Sequence, residues 1–394
     1  MLLDPLTLPC GAVLRNRIAK SAMSDSLGDG TGQPTAAQAN LYRIWAEGGA
    51  AVSIIGEVQG SPLFAEKPGN LVLQGGDAEA PWEALAEAGR TGGAHLWAQL
   101  GHAGAMAHPP ISPDPKGPSA LDVPGLKCAA LSLPDIRALP DAFARTAKLA
   151  EARGLGGVQV HAAHGFLLSQ FLSPLFNRRG DAYGGSIQNR MRLVLEVVEA
   201  VRDAVAPSTP VAVKLNATDQ LDGGLTEDDA LRVAAELSGR GVDLLDVSGG
   251  TYFPGAPSAS DAGGKGPYFA DFARAARGKI DAPVMLTGGV KTQAQARHVL
   301  ESGTADMIGL ARALILAPDL PQRWEAGEDI EFPRFSTPPP PGGITAWYTM
   351  RLTALAEDRA AEDLEPAAAL AAYDARDAER AEAWRAAFDL PAPH

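Results

Sequence analysis

Two histidines, His161 and His164, follow at once on a short β-branched run, GVQV, at residues 157–160. Two imidazole N–H groups held together, neutral or cationic, can stabilise negative charge developing on an oxygen. Either ring can instead satisfy a core hydrogen bond, and a zinc pair would need a third protein ligand that no His, Cys or acid cluster presents. Lys214 lies inside a second apolar run, VAVKLN. A cation there is expensive unless paired, and Asp246 is one acid that could pair with it. Gln99, in WAQLGHAG, carries an amide that both donates and accepts. Farther on, VMLT runs into Gly288-Gly289, and MIGL runs into Ala311-Arg312. Two such loops suit a phosphate: glycine lets the backbone come close, helix N-termini point N–H groups at the anion, and arginine adds a bidentate clamp. Tyr252, Tyr268 and Tyr42 are phenols of the right type to move a proton, and of these Tyr252 directly follows a strand end, DVSGG. Tyr252 reads first as an aromatic wall of the pocket and only second as an acid.

These residues fall at regular intervals because the elements do. Strand-like runs lie near 18–21, 51–57, 95–99, 158–161, 211–215, 244–248, 284–287 and 307–310, with amphipathic helices over 35–47, 78–91, 134–153, 186–205, 226–240, 267–278 and 291–302. Strict alternation of strand and helix implies a parallel sheet, and eight units predict a closed (β/α)8 TIM barrel with its chemistry at the carboxyl ends of the strands. A doubly wound sheet would want Gly-x-Gly-x-x-Gly after the first strand, and none is there. The opening LTLPCGAVLRNRI reads as a hairpin capping the barrel floor. Residues 104–132, rich in Pro and Ser, read as a lid or surface excursion. PPPPGG at 338–343 reads as a stiff spacer, and 344–388, rich in Ala, Glu, Asp and Arg, as helices packed on the barrel or on a partner subunit. The expected division is a barrel over 1–335 and a Pro-rich linker with a helical C-terminal extension over 336–394.

Composition narrows the partners. The chain has 394 residues and a net charge of −13, which argues against nucleic acid and against an acidic membrane surface. No apolar run approaches the roughly 20 residues of a membrane helix. The N-terminus lacks a basic start followed by an apolar core, and the two cysteines, Cys10 and Cys128, do not make a disulfide framework. The expectation is a cytoplasmic protein acting on a small molecule, with a homo-oligomer open.

The block VQVHAAHGFLLSQFLSPLFNRRGDAYGGSIQNR, residues 158–190, resembles the signature of the old yellow enzyme family of flavin-dependent NAD(P)H oxidoreductases, and the resemblance extends over roughly residues 1–330. It implies an FMN-binding TIM barrel fed by NADH or NADPH. It assigns His161 and His164 to the oxygen of the acceptor above the flavin, and Ala22, Met23 and Ser24, with Val58, to the flavin edge. Gln99 would face a flavin carbonyl and the ring N3–H, Lys214 the N1/O2 side, and Gly288, Gly289, Ala311 and Arg312 the phosphate. Three positions depart from the pattern. Phe166 stands where the family usually has the tyrosine that protonates the substrate carbon, Ala105 where it has arginine, and Ala311 where it has glycine. Tyr183-Gly184-Gly185-Ser186, with Asn189 and Arg190, reads as a turn and a helix N-cap.

The resemblance implies hydride transfer through FMN to an electron-poor acceptor: an α,β-unsaturated carbonyl, a quinone or a nitro compound. An oxidative amine demethylase-like flavoenzyme and a low-turnover flavin-binding redox sensor are the alternatives.

Overall fold

The computed structural model describes residues 1–76, 78–107, 111–256, 266–335, 338–360 and 364–391. Eight parallel strands form a ring: β1 (Ile18–Met23), β2 (Val52–Gln59), β3 (His95–Gly101), β4 (Val158–Ala162), β5 (Val211–Asn216), β6 (Leu244–Ser248), β7 (Val284–Thr287) and β8 (Met307–Leu310). Neighbours in sequence are neighbours in the sheet, and β1 pairs with both β2 and β8, which closes the barrel. Strands sealed on both faces read as apolar runs, and every expected strand is present.

Seven helices cross between them: α1 (Ala36–Glu47), α2 (Glu79–Gly89), α3 (Leu133–Ala152), α4 (Arg192–Ala204), α5 (Glu227–Leu237), α6 (Ala270–Arg277) and α7 (Gln293–Glu301). Local chemistry sets several starts. The Thr35 hydroxyl accepts from the Gln38 N–H at the head of α1, and Ser132 and Asp135 cap each other's backbone at the head of α3, contributions of about 1 kcal/mol each. α4 buries Leu193, Val194, Val197, Val198 and Val201, one stripe at helical spacing.

Two stretches differ from the sequence reading. The helix expected over 186–205 is interrupted at Met191, leaving a single turn, Ile187–Arg190, before α4. Ser186 occupies the N-cap position of that turn, but its side chain makes no capping bond. Between β4 and that turn, where the sequence reading places no helix, lies a short helix, Leu167–Leu172, buried along its whole length.

The floor is sealed by an antiparallel hairpin of Leu6–Thr7 and Val13–Leu14. Its Leu6, Leu8 and Leu14 pack with Ala19, Ile54, Trp97, Ala212, Leu244, Met285 and Met307, the lowest inward residues of the strands. Within 104–132, Lys116–Gly117, Leu121–Val123 and Leu126–Ala130 form a small sheet of their own, and Leu121, Leu126 and Cys128 pack on Phe176.

Beyond the barrel lie α8 (Gly343–Ala356) and α9 (Pro366–Ala387). α8 packs against α1 and against the short helix Arg312–Leu316. α9 sits on the loops that follow β1 and β2. The Arg380 guanidinium donates to the Ser26 carbonyl, and the fully buried Trp384 packs with Ala65, Val72 and Ile111. Gly30 makes this approach possible, because a Cβ there would lie 3.0 Å from the Arg380 carbonyl oxygen.

Candidate active site

Above the apolar floor the barrel interior turns polar. Lys214 on β5 and Asp246 on β6 are register partners, and the Lys214 Nζ lies 2.5 Å from Asp246 Oδ2 with both side chains sealed from solvent. Lys214 also donates to Ser21 Oγ on β1 at 3.0 Å. Asp246 accepts from Gln159 Nε2 at 3.0 Å and from Thr287 Oγ1 at 2.6 Å. Gln159 in turn accepts from Gln99 Nε2 at 2.8 Å. Buried polar groups need such partners, and this network brings together six strands' worth of side chains just below the carboxyl ends. The ion pair with Asp246 is therefore present. It does not exhaust Lys214: an ammonium has three donors, and two are engaged.

One layer higher, His161 and His164 lie with ring centroids 5.3 Å apart, edge to face. His161 belongs to β4 and points inward in register with Lys214. His164 is reached by a backbone twist, with φ at +62°, a left-handed conformation costly for a residue other than glycine. The twist is held from both sides. The His164 N–H donates to Asn216 Oδ1 at 3.0 Å, and the His164 carbonyl accepts from the Tyr252 N–H at 3.1 Å. The His164 Nε2 lies 2.8 Å from Ser248 Oγ. Burial and the nearby Lys214 cation push His164 down to about 3. Burial, His164 and Lys214 push His161 well below its usual value. Both imidazoles are neutral N–H donors at physiological pH. The buried His161 Nδ1 has no hydrogen-bond partner among the described residues.

The aromatic neighbours divide clearly. Phe166 packs 5.0 Å from His161 and 5.7 Å from Tyr252, centroid to centroid. Tyr252 is 60 % exposed and stands at the mouth beside the histidine pair. Tyr42 is elsewhere: its hydroxyl is spent on Asp25 Oδ2 at 2.8 Å, behind β1. Tyr268 packs near Gly288 and Gly289. His102 stacks on Phe64 at 3.8 Å, accepts from the Gly104 N–H and is pushed down to about 3 by burial.

The remaining expected residues line the rim. Ala22 and Met23 end β1, and Ser24 begins the loop beyond it. Gly56 lets β2 pass close, since a Cβ there would lie 2.2 Å from the Met23 carbonyl. The Ser24 Oγ accepts from Asn70 Nδ2 at 3.4 Å. Val58 is fully buried in the main core between sheet and helices, so only its backbone is available to the mouth. Gly288 and Gly289 follow β7 with φ of +116° and +81°. Ala311 and Arg312 follow β8. The helix that Arg312 opens has only five residues, so the guanidinium, not a helix dipole, is the cationic feature there. Arg190 is engaged by the Gly185 and Leu172 carbonyls and by Asp229.

Sequence reasoning missed Ser21, Gln159 and Thr287, the partners that hold Lys214 and Asp246. Inward period-two spacing was the available signal: Gln159 lies two residues before His161, and Ser21 two before Met23. Among the described residues no three His, Cys, Asp or Glu side chains gather as a metal set, and no helix is long and apolar enough to cross a membrane. A surface hollow lined by Arg274, Arg277, Asp281 and Asp306 opens at the amino-terminal ends of β7 and β8, remote from the histidines. Its Arg277 is bonded to Asp306 and to the Gly303 carbonyl.

Comparison with known proteins shows the family and the fold. A model of the NADH:flavin oxidoreductase / NADH oxidase family matches residues 1–331. The "NADH-dependent flavin oxidoreductase iliE" of Hypocrea jecorina is 32% identical over 352 residues, covering 81% of this chain and 87% of that protein. Among solved structures, morphinone reductase superposes with a TM-score of 0.73 at 27% identity, covering 84% of this chain and 91% of that one. The old yellow enzyme homologue from Zymomonas mobilis superposes with a TM-score of 0.73 at 26% identity, over 88% and 98% of the two chains. The chain belongs to the NADH:flavin oxidoreductase / NADH oxidase family, and is a TIM-barrel, FMN- and NAD(P)H-dependent oxidoreductase of the old yellow enzyme type.

Proposed function

We propose that this enzyme passes hydride from NADH or NADPH, through FMN, to an electron-poor small molecule whose oxygen is held by His161 and His164. The observation that carries the reading is the histidine pair itself: two neutral imidazoles, His161 buried and His164 half-buried, 5.3 Å apart at the carboxyl end of a barrel strand. Neutral donors fixed in place favour an oxygen that gains negative charge during hydride arrival, at no reorganisation cost.

FMN supplies the two-electron relay between nicotinamide and acceptor. The residues present fit it. Gln99 and Lys214 would offer amide and ammonium hydrogens to the ring, since Lys214 spends two of its three donors on Asp246 and Ser21. Ala22, Met23, Ser24 and the Val58 backbone would border the ring edge. Gly288, Gly289, Ala311 and Arg312 would hold the phosphate. Arg312 makes no ion pair with a carboxylate among the described residues, which leaves its charge for an anion.

Phe166 shapes the acceptor class. Phe has no proton to give, so carbon protonation falls to Tyr252 or to water. Quinones and nitro compounds, which take protons on oxygen, are served without it; simple enones are served more slowly. We read residues 336–394 as an added segment on this barrel.

The test is spectroscopic. Purified protein is expected to be yellow, to bleach with NADH or NADPH without oxygen, and to recover colour when a quinone, a nitroarene or cyclohexenone is added. Replacement of His161 or His164 by Ala should slow recovery far more than bleaching. A yellow protein that neither nucleotide bleaches would favour the redox-sensor or amine-oxidising alternatives.

A further inference from the structure

Arg312 does not stand alone. Its guanidinium lies over the ring of Tyr348, 5.1 Å from the centroid. Tyr348 belongs to α8, in the extension that begins after the matched family region ends at residue 331. Its ring is buried at 5 % exposure and is braced edge-on by Trp347 at 4.9 Å. Trp347 is itself flanked by Phe335 at 5.3 Å and covered by the Arg351 guanidinium at 5.4 Å. α8 packs against the short helix that carries Arg312.

We infer that the C-terminal extension completes the flavin phosphate site, with Tyr348 as the positioning residue that holds Arg312. This rests on the reading of Arg312 as a phosphate ligand. An arginine has a long, rotamer-rich side chain, and ordering it on binding costs affinity. A fixed aromatic face beneath a planar guanidinium orders it beforehand and leaves the in-plane N–H groups free for a bidentate anion. The ring also attracts the cation without neutralising it, which a carboxylate partner would do. The phosphate contact thus depends on a helix that the barrel itself does not contain.

The experiment compares two flavins that differ only in the phosphate. Flavin-free full-length protein is titrated with FMN and with riboflavin, following the flavin fluorescence. Tyr348→Leu should cut the FMN-over-riboflavin preference by about tenfold, equivalent to about 1.4 kcal/mol, with riboflavin affinity retained. Tyr348→Phe, which keeps the ring, should keep the preference. In an Arg312→Ala background, Tyr348→Leu should change nothing further. If Arg312→Ala abolishes the preference and Tyr348→Leu leaves it intact, Tyr348 has no such role while the phosphate reading survives. If Arg312→Ala leaves the preference intact, the phosphate reading itself is wrong, and this inference goes with it. Equal loss of both flavins in Tyr348→Leu, and again in the closer-sized Tyr348→Met, would mark a packing role only and overturn the proposal.

Discussion

The Lys214 ammonium and the Asp246 carboxylate meet at 2.5 Å in the middle of the barrel, with neither side chain reaching solvent. Burying two charges costs several kcal/mol each, and only good geometry with further hydrogen bonds offsets it. Ser21, Gln159 and Thr287 provide those bonds. The pair fixes a cation beneath the histidines and keeps that cation's remaining donor directed by the network.

Breaking the pair from one side should be severe. Lys214→Met leaves Asp246 charged and alone, and the expected loss is about 3–5 kcal/mol in urea unfolding of the flavin-free protein. Lys214→Met with Asp246→Leu should recover much of that stability without recovering flavin affinity. A double variant as unstable as the single one would show that the network, and not the lone charge, sets the cost.

The histidine pair makes a pH statement. His164 is held down to about 3 and His161 well below its usual value, against about 6.5 in an unfolded chain. His164 stays neutral from pH 5 to 8 and His161 is shifted in the same direction, so acceptor reduction should show no imidazole titration near 6.5. The unfolded state binds the extra protons, so stability should fall as pH drops from about 6.5 towards 3. His164→Asn should flatten that fall. A rate inflection near 6.5 that vanishes in His164→Asn would contradict the assignment.

Phe166 touches both His161 and Tyr252, which makes it the position from which a phenol could reach the acceptor. Phe166→Tyr should speed recovery of flavin colour with cyclohexenone, by about a hundredfold if proton supply limits the step. Recovery with a quinone should change little. Tyr252→Phe should slow the enone reaction if Tyr252 is the present acid. An enone rate untouched by either change would place the proton source in solvent.

Lys20 carries the opposite stability signature to a paired cation. It is buried over the Trp45 ring at 4.4 Å, and burial lowers it to about 7, with Asp25 opposing and Lys214 assisting. Between pH 7 and about 10.5 the unfolded state holds the extra proton, so stability should rise with pH across that window. Lys20→Met should remove the rise and raise the thermal midpoint most at pH 7. Identical pH slopes in the two proteins would rule this out.

Much of the barrel was legible because strands buried on both faces must be apolar, and the alternation with helices admits few folds. The His161–His164 pair was visible because polar rings at a strand end have little structural reason to recur three residues apart. The short helix Leu167–Leu172 was hidden: LLSQFL is six residues long and buried on every side, its Ser169 and Gln170 included, so it has no solvent face to set a period, and Phe166 at its N-cap makes no side-chain capping bond. The Lys214 partners were harder still. Period two shows which side chains face inward, but strand stagger decides which of them meet. The helices of the extension were readable from composition, while their docking was not. α9 is seated by one arginine, one tryptophan and the absence of a side chain at Gly30, features that no periodicity announces.

The pairing of β1 with β8 has a consequence for biosynthesis. Ile18 meets Ile308 across this seam, and Arg17 reaches the backbone of Asp306 from one side while receiving the Ile308 N–H on the other. A chain emerging from the ribosome therefore carries β1 with one edge unsatisfied until almost three hundred further residues have been made. Contacts of such separation form late and slowly, and an open edge is a template for the wrong partner. Until β8 is made, the growing sheet keeps two open rims, the outer edge of β1 and that of the last strand formed, and the β1–β8 seam closes both at once.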